Sequence, residues 1–161
     1  MSTIVLDPSQ ALTRALGDIG DVGVIAFSSD DADETMWQTL VAMQAAYRTG
    51  DRRIVLVVPT IGMAGATGAV AYTTAVEGIR AMAKSAARQW GSQGVGVNIV
   101  AAPSHLFAYD VDASHLLAAA VADDDGLIRS VVETAKFLLR DDLRHLNGET
   151  VIVDGGQVML P

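Results

Sequence analysis

A doubly wound α/β domain with a mostly parallel, five-stranded sheet is what this sequence predicts, and three observations predict it. Five short apolar runs rich in β-branched residues recur along the 161 residues. Four segments with helical spacing lie between those runs. The two alternate from end to end without a linker or repeat, the pattern of strands joined by crossover helices in one domain, 1–161.

The first strand is "TIVL" at 3–6, and "DPSQALTRALGD" follows it, with Asp7 placed to cap a helix and Pro8 at its first position. The next strand is "VGVIAF" at 22–27. With "RIVLVV" at 53–58 and "VGVNIV" at 95–100 it is almost continuously apolar, as expected of parallel strands covered on both faces. A helix over 33–48 carries Met36, Leu40, Met43 and Tyr47 at helical intervals and ends on Gly50. A second long helix, 70–91, aligns Val76, Ile79, Met82, Ala83, Ala86 and Trp90 along one stripe. A last helix around "GLIRSVVETAKFLLRDD" precedes the final strand, "ETVIVD" at 149–154, and "ADDDG" at 122–126 reads as a solvated loop and helix cap.

Composition removes several function classes. A net charge of −8 with no Lys/Arg cluster disfavours nucleic acid. No apolar run approaches the roughly 18 residues a membrane span needs. "MSTIVLDPSQ" has no basic region ahead of an apolar one, so a soluble, cytoplasmic chain is expected. The absence of cysteine excludes disulfides, thiolate metal sites and cysteine nucleophiles. His105, His115 and His145 lack the spacing of a metal motif, Asp110 and Asp112 beside His115 read as an ordinary polar loop, and no G-x-S-x-G marks a hydrolase.

"PTIGMAGATGAVAY", between the third strand and the second long helix, holds the one glycine pattern that invites a cofactor reading. A dinucleotide fingerprint needs G-x-G-x-x-G in a tight turn and an acid about 20 residues on, at the end of the next strand. Gly62, Gly65 and Gly68 lack the close pair, the loop from Pro59 to Ala69 is long, and the next strand ends in Ala101, Ala102 and Pro103. Cofactor binding by this loop is therefore not expected.

From Arg53 onward the order of parts resembles a short-chain dehydrogenase/reductase. In that family a strand like "RIVNISS" leads through a glycine-containing loop to a helix that begins "AYxxxK", and the next strand reads "gVxVNxVaPG". Here the parts are "RIVLVVP", "TIGMAGATGAVAYTTAV" and "GVGVNIVAAPS", and "AKFLLRDDLRHLNGETVIVDGGQVML" is similar to the family's ending, with Asp154-Gly155-Gly156 as its turn. Upstream, "LDPSQALTRALGDIGDVGVIAF" resembles the segment that runs from the family's third strand to its "NNAG", here Ile25, Ala26, Phe27 and Ser28. In this register about six residues precede the match, so the resemblance implies a truncated Rossmann-like sheet lacking the first βαβ unit, with no cofactor site in this chain.

The resemblance also locates the family's chemistry, and most of it is replaced. The general acid/base tyrosine is Tyr72, but the lysine that lowers its pKa is Val76. Pro59 stands at the serine position with Thr60 as the nearest hydroxyl, and Thr35 stands at the relay asparagine. Tyrosine has a pKa near 10 and is a poor base at neutral pH without a nearby cation. Lys84, twelve residues on, is about 18 Å away along a helix, and Arg80 is also out of reach. Tyr72 is thus expected to serve packing or a hydrogen bond, as a remnant with Thr60.

The two long helices correspond to those through which family members build a four-helix bundle between subunits. Met36, Trp37, Met43, Tyr47, Met82, Ala86 and Trp90 are therefore the expected partner interface, and some of them are expected to cover the chain's own sheet. What the resemblance implies is a non-catalytic subunit pairing with a full-length, NAD(P)-dependent family member. The alternatives are a divergent oxidoreductase using Tyr72 with a cofactor site lent by a partner, and a homo-oligomer that binds a small molecule.

Overall fold

The computed structural model describes residues 1–27 and 31–159; Ser28 of the "NNAG" position lies outside them. All five strands are parallel: β1 (Ser2–Leu6), β2 (Asp21–Ile25), β3 (Arg53–Pro59), β4 (Gly96–Ala102) and β5 (Thr150–Ile152), in the order β2-β1-β3-β4-β5. The helices are α1 (Gln10–Leu16), α2 (Ala32–Arg48), α3 (Ile61–Ala64), α4 (Val70–Trp90) and α5 (Gly126–Leu138). No described helix is long and apolar enough to cross a membrane.

β1 answers how the sheet closes. It lies between β2 and β3, with Ile4 opposite both Gly23 and Leu56. The fully covered strands are β1, β3 and β4, while β2 is an edge strand whose Val24 is 50% exposed. The apolar run at 22–27 is therefore not covered on both faces as expected. A short apolar strand reads the same in the middle of a sheet as at its rim, because its sequence does not say which strand it pairs with.

Period-two alternation splits the core into two layers. Ile4, Leu6, Ile54, Leu56, Val58 and Ile99 face α2 and α4; Val5, Val55, Val57 and Val100 face α1 and α5. Three crossovers share one hand. The connection β4–α5–β5 moves in the same direction as β3–α4–β4 but carries its helix on the opposite face, so it has the other hand.

The helix termini follow local chemistry with one correction. Ser9, not Asp7, caps α1: its side chain accepts from the Leu12 N–H at 3.3 Å, and the helix begins at Gln10 rather than Pro8. Asp31 caps α2 through Glu34 N–H at 2.9 Å, and Gly50 past its end takes φ +90°. Asp154 accepts N–H bonds from Gly156, Gln157 and Val158, closing the expected turn.

The interface residues divide on burial. Met43 is fully buried, and Ala86 and Trp90 are 8% exposed, so these three belong to the chain's own core. A Cβ at Gly78 would stand 2.5 Å from Met36 Sδ, which places the close helix approach between α2 and α4 of one chain. Tyr47 stacks on Trp90 at 4.6 Å and donates to Gln93 Oε1 at 2.5 Å. Trp37, 61% exposed, and Val41 face outward from α2, and a groove of about 290 Å³ between the two helices is lined by Leu40 and Met82.

Candidate functional site

β1 and β3 are neighbours whose following helices leave to opposite faces, so the crevice at their carboxyl ends is the place where open α/β sheets hold ligands. The turn after β1 delivers Asp7 to it and the turn after β3 delivers Thr60; Tyr72, in the first turn of α4, lies beside Asp7. Asp7 has φ +34°, in the left-handed region that costs most side chains strain but that Asp and Asn tolerate. Its N–H donates to Ile25 O and its carbonyl accepts from Ala108 N–H, both at 2.7 Å, which holds the turn in place.

Tyr72 is 2% exposed and packed between two rings. Phe27 meets it edge-on at 4.3 Å and Tyr109 stacks on it at 4.2 Å. Burial, then the charge of Asp7 and then Tyr109, pushes the Tyr72 hydroxyl far above the ordinary tyrosine range. A general base needs the opposite shift. Val76 is fully buried, and a Cβ on Gly62 would stand 2.4 Å from its Cγ1. The first glycine of the loop thus exists to let α3 pack onto the position where the family carries its lysine. Gly65 and Gly68, with φ +76° and +74°, bend the rest of the loop around α3, which the sequence did not predict.

The remaining chemistry is scattered or spent. Pro59 ends β3 opposite Ala102. Thr60 is fully buried, and its Oγ1 has no hydrogen-bond partner among the described residues. Thr35, 1% exposed, donates its hydroxyl to Asp31 O on its own helix at 3.4 Å, so it holds no relay. His105 pairs with Asp123 at 3.0 Å on the surface, and His115 and His145 are exposed elsewhere. Among the described residues no three His, Cys, Asp or Glu side chains meet to hold a metal.

Asp7 is the residue of this candidate site that sequence reasoning missed, because Asp before Pro reads as a helix cap. Burial raises its carboxyl above the ordinary 3.8, against the N–H groups of Phe27 and Tyr109, which pull it down. A carboxyl raised in the folded state stabilises the fold in its protonated form; that gain is complete below about 3.8 and is lost as pH rises through the folded value. Asp7→Asn, which keeps the φ tolerance, is therefore expected to raise the melting temperature at pH 7. The difference is expected to vanish in acid, where Asp7 is protonated. Equal melting at pH 7 would contradict this.

Residues 34–157 match the model of a family described as enoyl-(acyl carrier protein) reductase. The chain belongs to the short-chain dehydrogenase/reductase family. Among its relatives, the 3-oxoacyl-(acyl-carrier-protein) reductase FabG of Salmonella typhimurium is 29% identical over 124 residues, covering 73% of this chain and 50% of that protein. The short-chain dehydrogenase/reductase eriH of Hericium erinaceus is 29% identical over 103 residues, covering 60% and 41%. The chain thus spans about half the length of the curated relatives it matches. In fold, a Serratia marcescens short-chain dehydrogenase/reductase variant superposes with a TM-score of 0.64 at 16% identity, covering 96% of each chain.

Proposed function

We propose that this chain is a non-catalytic short-chain dehydrogenase/reductase subunit that pairs with an intact, NAD(P)-dependent member of the family and supports its assembly or substrate site. The observation that carries this reading is the setting of Tyr72. It is buried in an aromatic enclosure where the charge of Asp7 opposes its ionisation, and the place of its activating cation is taken by a buried valine packed on Gly62.

The residues at the switch point do not fit a dinucleotide. β1 turns through Asp7, Pro8 and Ser9, with a carboxylate where a pyrophosphate would need N–H groups and glycine. The charge nearby repels it further: Asp110, Asp112, Asp123, Asp124 and Asp125 follow in the segments after β4 and before α5. NAD(P) accordingly belongs to the partner, and the exposed Trp37 and Val41 face of α2 beside α4 supplies the contact.

The relatives are named as reductases, and this favours a second reading in which Tyr72 takes part in turnover within a complex. A cavity of about 280 Å³ beside Tyr109, lined by Ser104 and Gln157, favours the small-molecule-binding reading. Tyr72→Phe separates the first from the second. Turnover by the assembled complex is expected to be unchanged, and the isolated chain is expected not to bind NADH or NADPH at micromolar concentrations. Loss of turnover in Tyr72→Phe, or stoichiometric micromolar binding by the chain alone, would overturn the proposal.

A further inference from the structure

At the opposite end of the strands from Asp7 and Tyr72, a cavity of about 640 Å³ opens between the amino ends of β3 and β4 and the segment after α5. That size suits a small-molecule ligand. In a chain of net charge −8 its walls are cationic. Arg53, Arg144 and His145 line it, and a Cβ on the rim residue Gly94 would stand 3.3 Å from Arg52 Nη1. Its acidic lining residue, Asp142, is already held by Arg140 through two bonds of 2.9 and 2.6 Å.

Arg53 is 5% exposed, and among the described residues it has no carboxylate partner. Its Nε donates to Arg140 O, its Nη1 to Arg52 O and Gly94 O, and its Nη2 to Asp141 O. Guanidinium carries five N–H donors, so one on Nη2 is left over. Asn147 is held in place by two bonds, its Oδ1 accepting from Val97 N–H and its Nδ2 donating to Ala87 O. Arg144 and His145 are exposed and make no ion pair among the described residues.

We propose that this cavity binds a small molecule bearing a phosphate ester or pyrophosphate, with Arg53 as the buried charge beneath it and Arg52, Arg144 and His145 around its oxygens. The exposed guanidiniums of Arg52 and Arg144 can match phosphate oxygens in pairs, and Arg53 adds its one free N–H and its charge from below. The cavity lies at the amino ends of the strands and Tyr72 at their carboxyl ends, so this proposal and the non-catalytic reading stand or fall separately.

The test is amide chemical-shift titration of the full chain with sodium pyrophosphate, and with AMP against adenosine. Saturable shifts at Gly94, Gly96 and Arg144 are expected with pyrophosphate and AMP and not with adenosine. Arg144→Glu is expected to weaken binding about tenfold or more, the loss of one charge-assisted contact. Arg129→Glu, an exposed site at the start of α5, is expected to leave it unchanged. Absence of saturation by about 10 mM, where binding is worth less than about 3 kcal/mol, would overturn the proposal. So would equal binding of adenosine, shifts confined to other residues, or full affinity in Arg144→Glu.

Discussion

Val76→Lys is expected to destabilise the chain by about 3–5 kcal/mol, the cost of a buried charge without a partner, and to create no oxidoreductase activity. The substitution restores the residue the family places four positions after the tyrosine, so on sequence alone it is the obvious repair. The structure gives it nowhere to go. Val76 is fully buried, with Gly62 packed so closely that even a methyl group there would meet the valine at 2.4 Å. A lysine must either bury its ammonium among Ile61, Tyr72 and Ile79 of the core or push α3 away. The charge beside Tyr72 is the Asp7 carboxylate, which opposes ionisation of the tyrosine, and it is held by the turn after β1 rather than by α4. Urea denaturation with a parallel spectroscopic titration of the tyrosines decides this. A variant as stable as the parent, with a Tyr72 that ionises near neutral pH, would contradict the account.

Arg53→Met is expected to cost about 2–4 kcal/mol, because the carbonyls of Gly94, Arg140 and Asp141 lose its donors, while Arg52 O keeps the Gly96 N–H. The guanidinium reaches across four carbonyls: Arg52 and Gly94 beside the start of β4, and Arg140 and Asp141 just past α5. One planar side chain thereby satisfies the turn after α4 and the end of α5 together, where orphan carbonyls gather. Arg53→Lys is expected to recover less than half of the loss, since an ammonium on a single atom cannot span both sets. Thermal unfolding of the three proteins measures it; a lysine variant as stable as the parent would show that charge alone matters at this position.

The elements themselves were legible in the sequence because apolar period and caps are local: the bounds of α2 and α4 fall within a residue or two of their spacing patterns. The strand order was not legible. "TIVL" and "VGVIAF" are both short apolar runs, and only the pairing of β1 with β3 makes the first central and the second an edge. Tyr72 and Val76 were located by motif, yet their meaning depended on contacts far away in the chain: Phe27 and Tyr109 around the tyrosine, Gly62 against the valine. Asp7 was hidden by a local rule that Ser9 satisfies instead. Met43, Ala86 and Trp90, three of the seven residues of the expected interface, lie in the chain's own core, as expected of some of them, because a helical stripe shows that one face is apolar and not what it meets.

The most direct test of the central claim is the native mass and composition of the assembly purified gently from the source cell. The account predicts a stable, stoichiometric complex of this chain with a full-length short-chain dehydrogenase/reductase, with the nucleotide bound by that partner and the contact weakened by Trp37→Asp. A homo-oligomer of this chain that turns over substrate with NADH or NADPH on its own would contradict it.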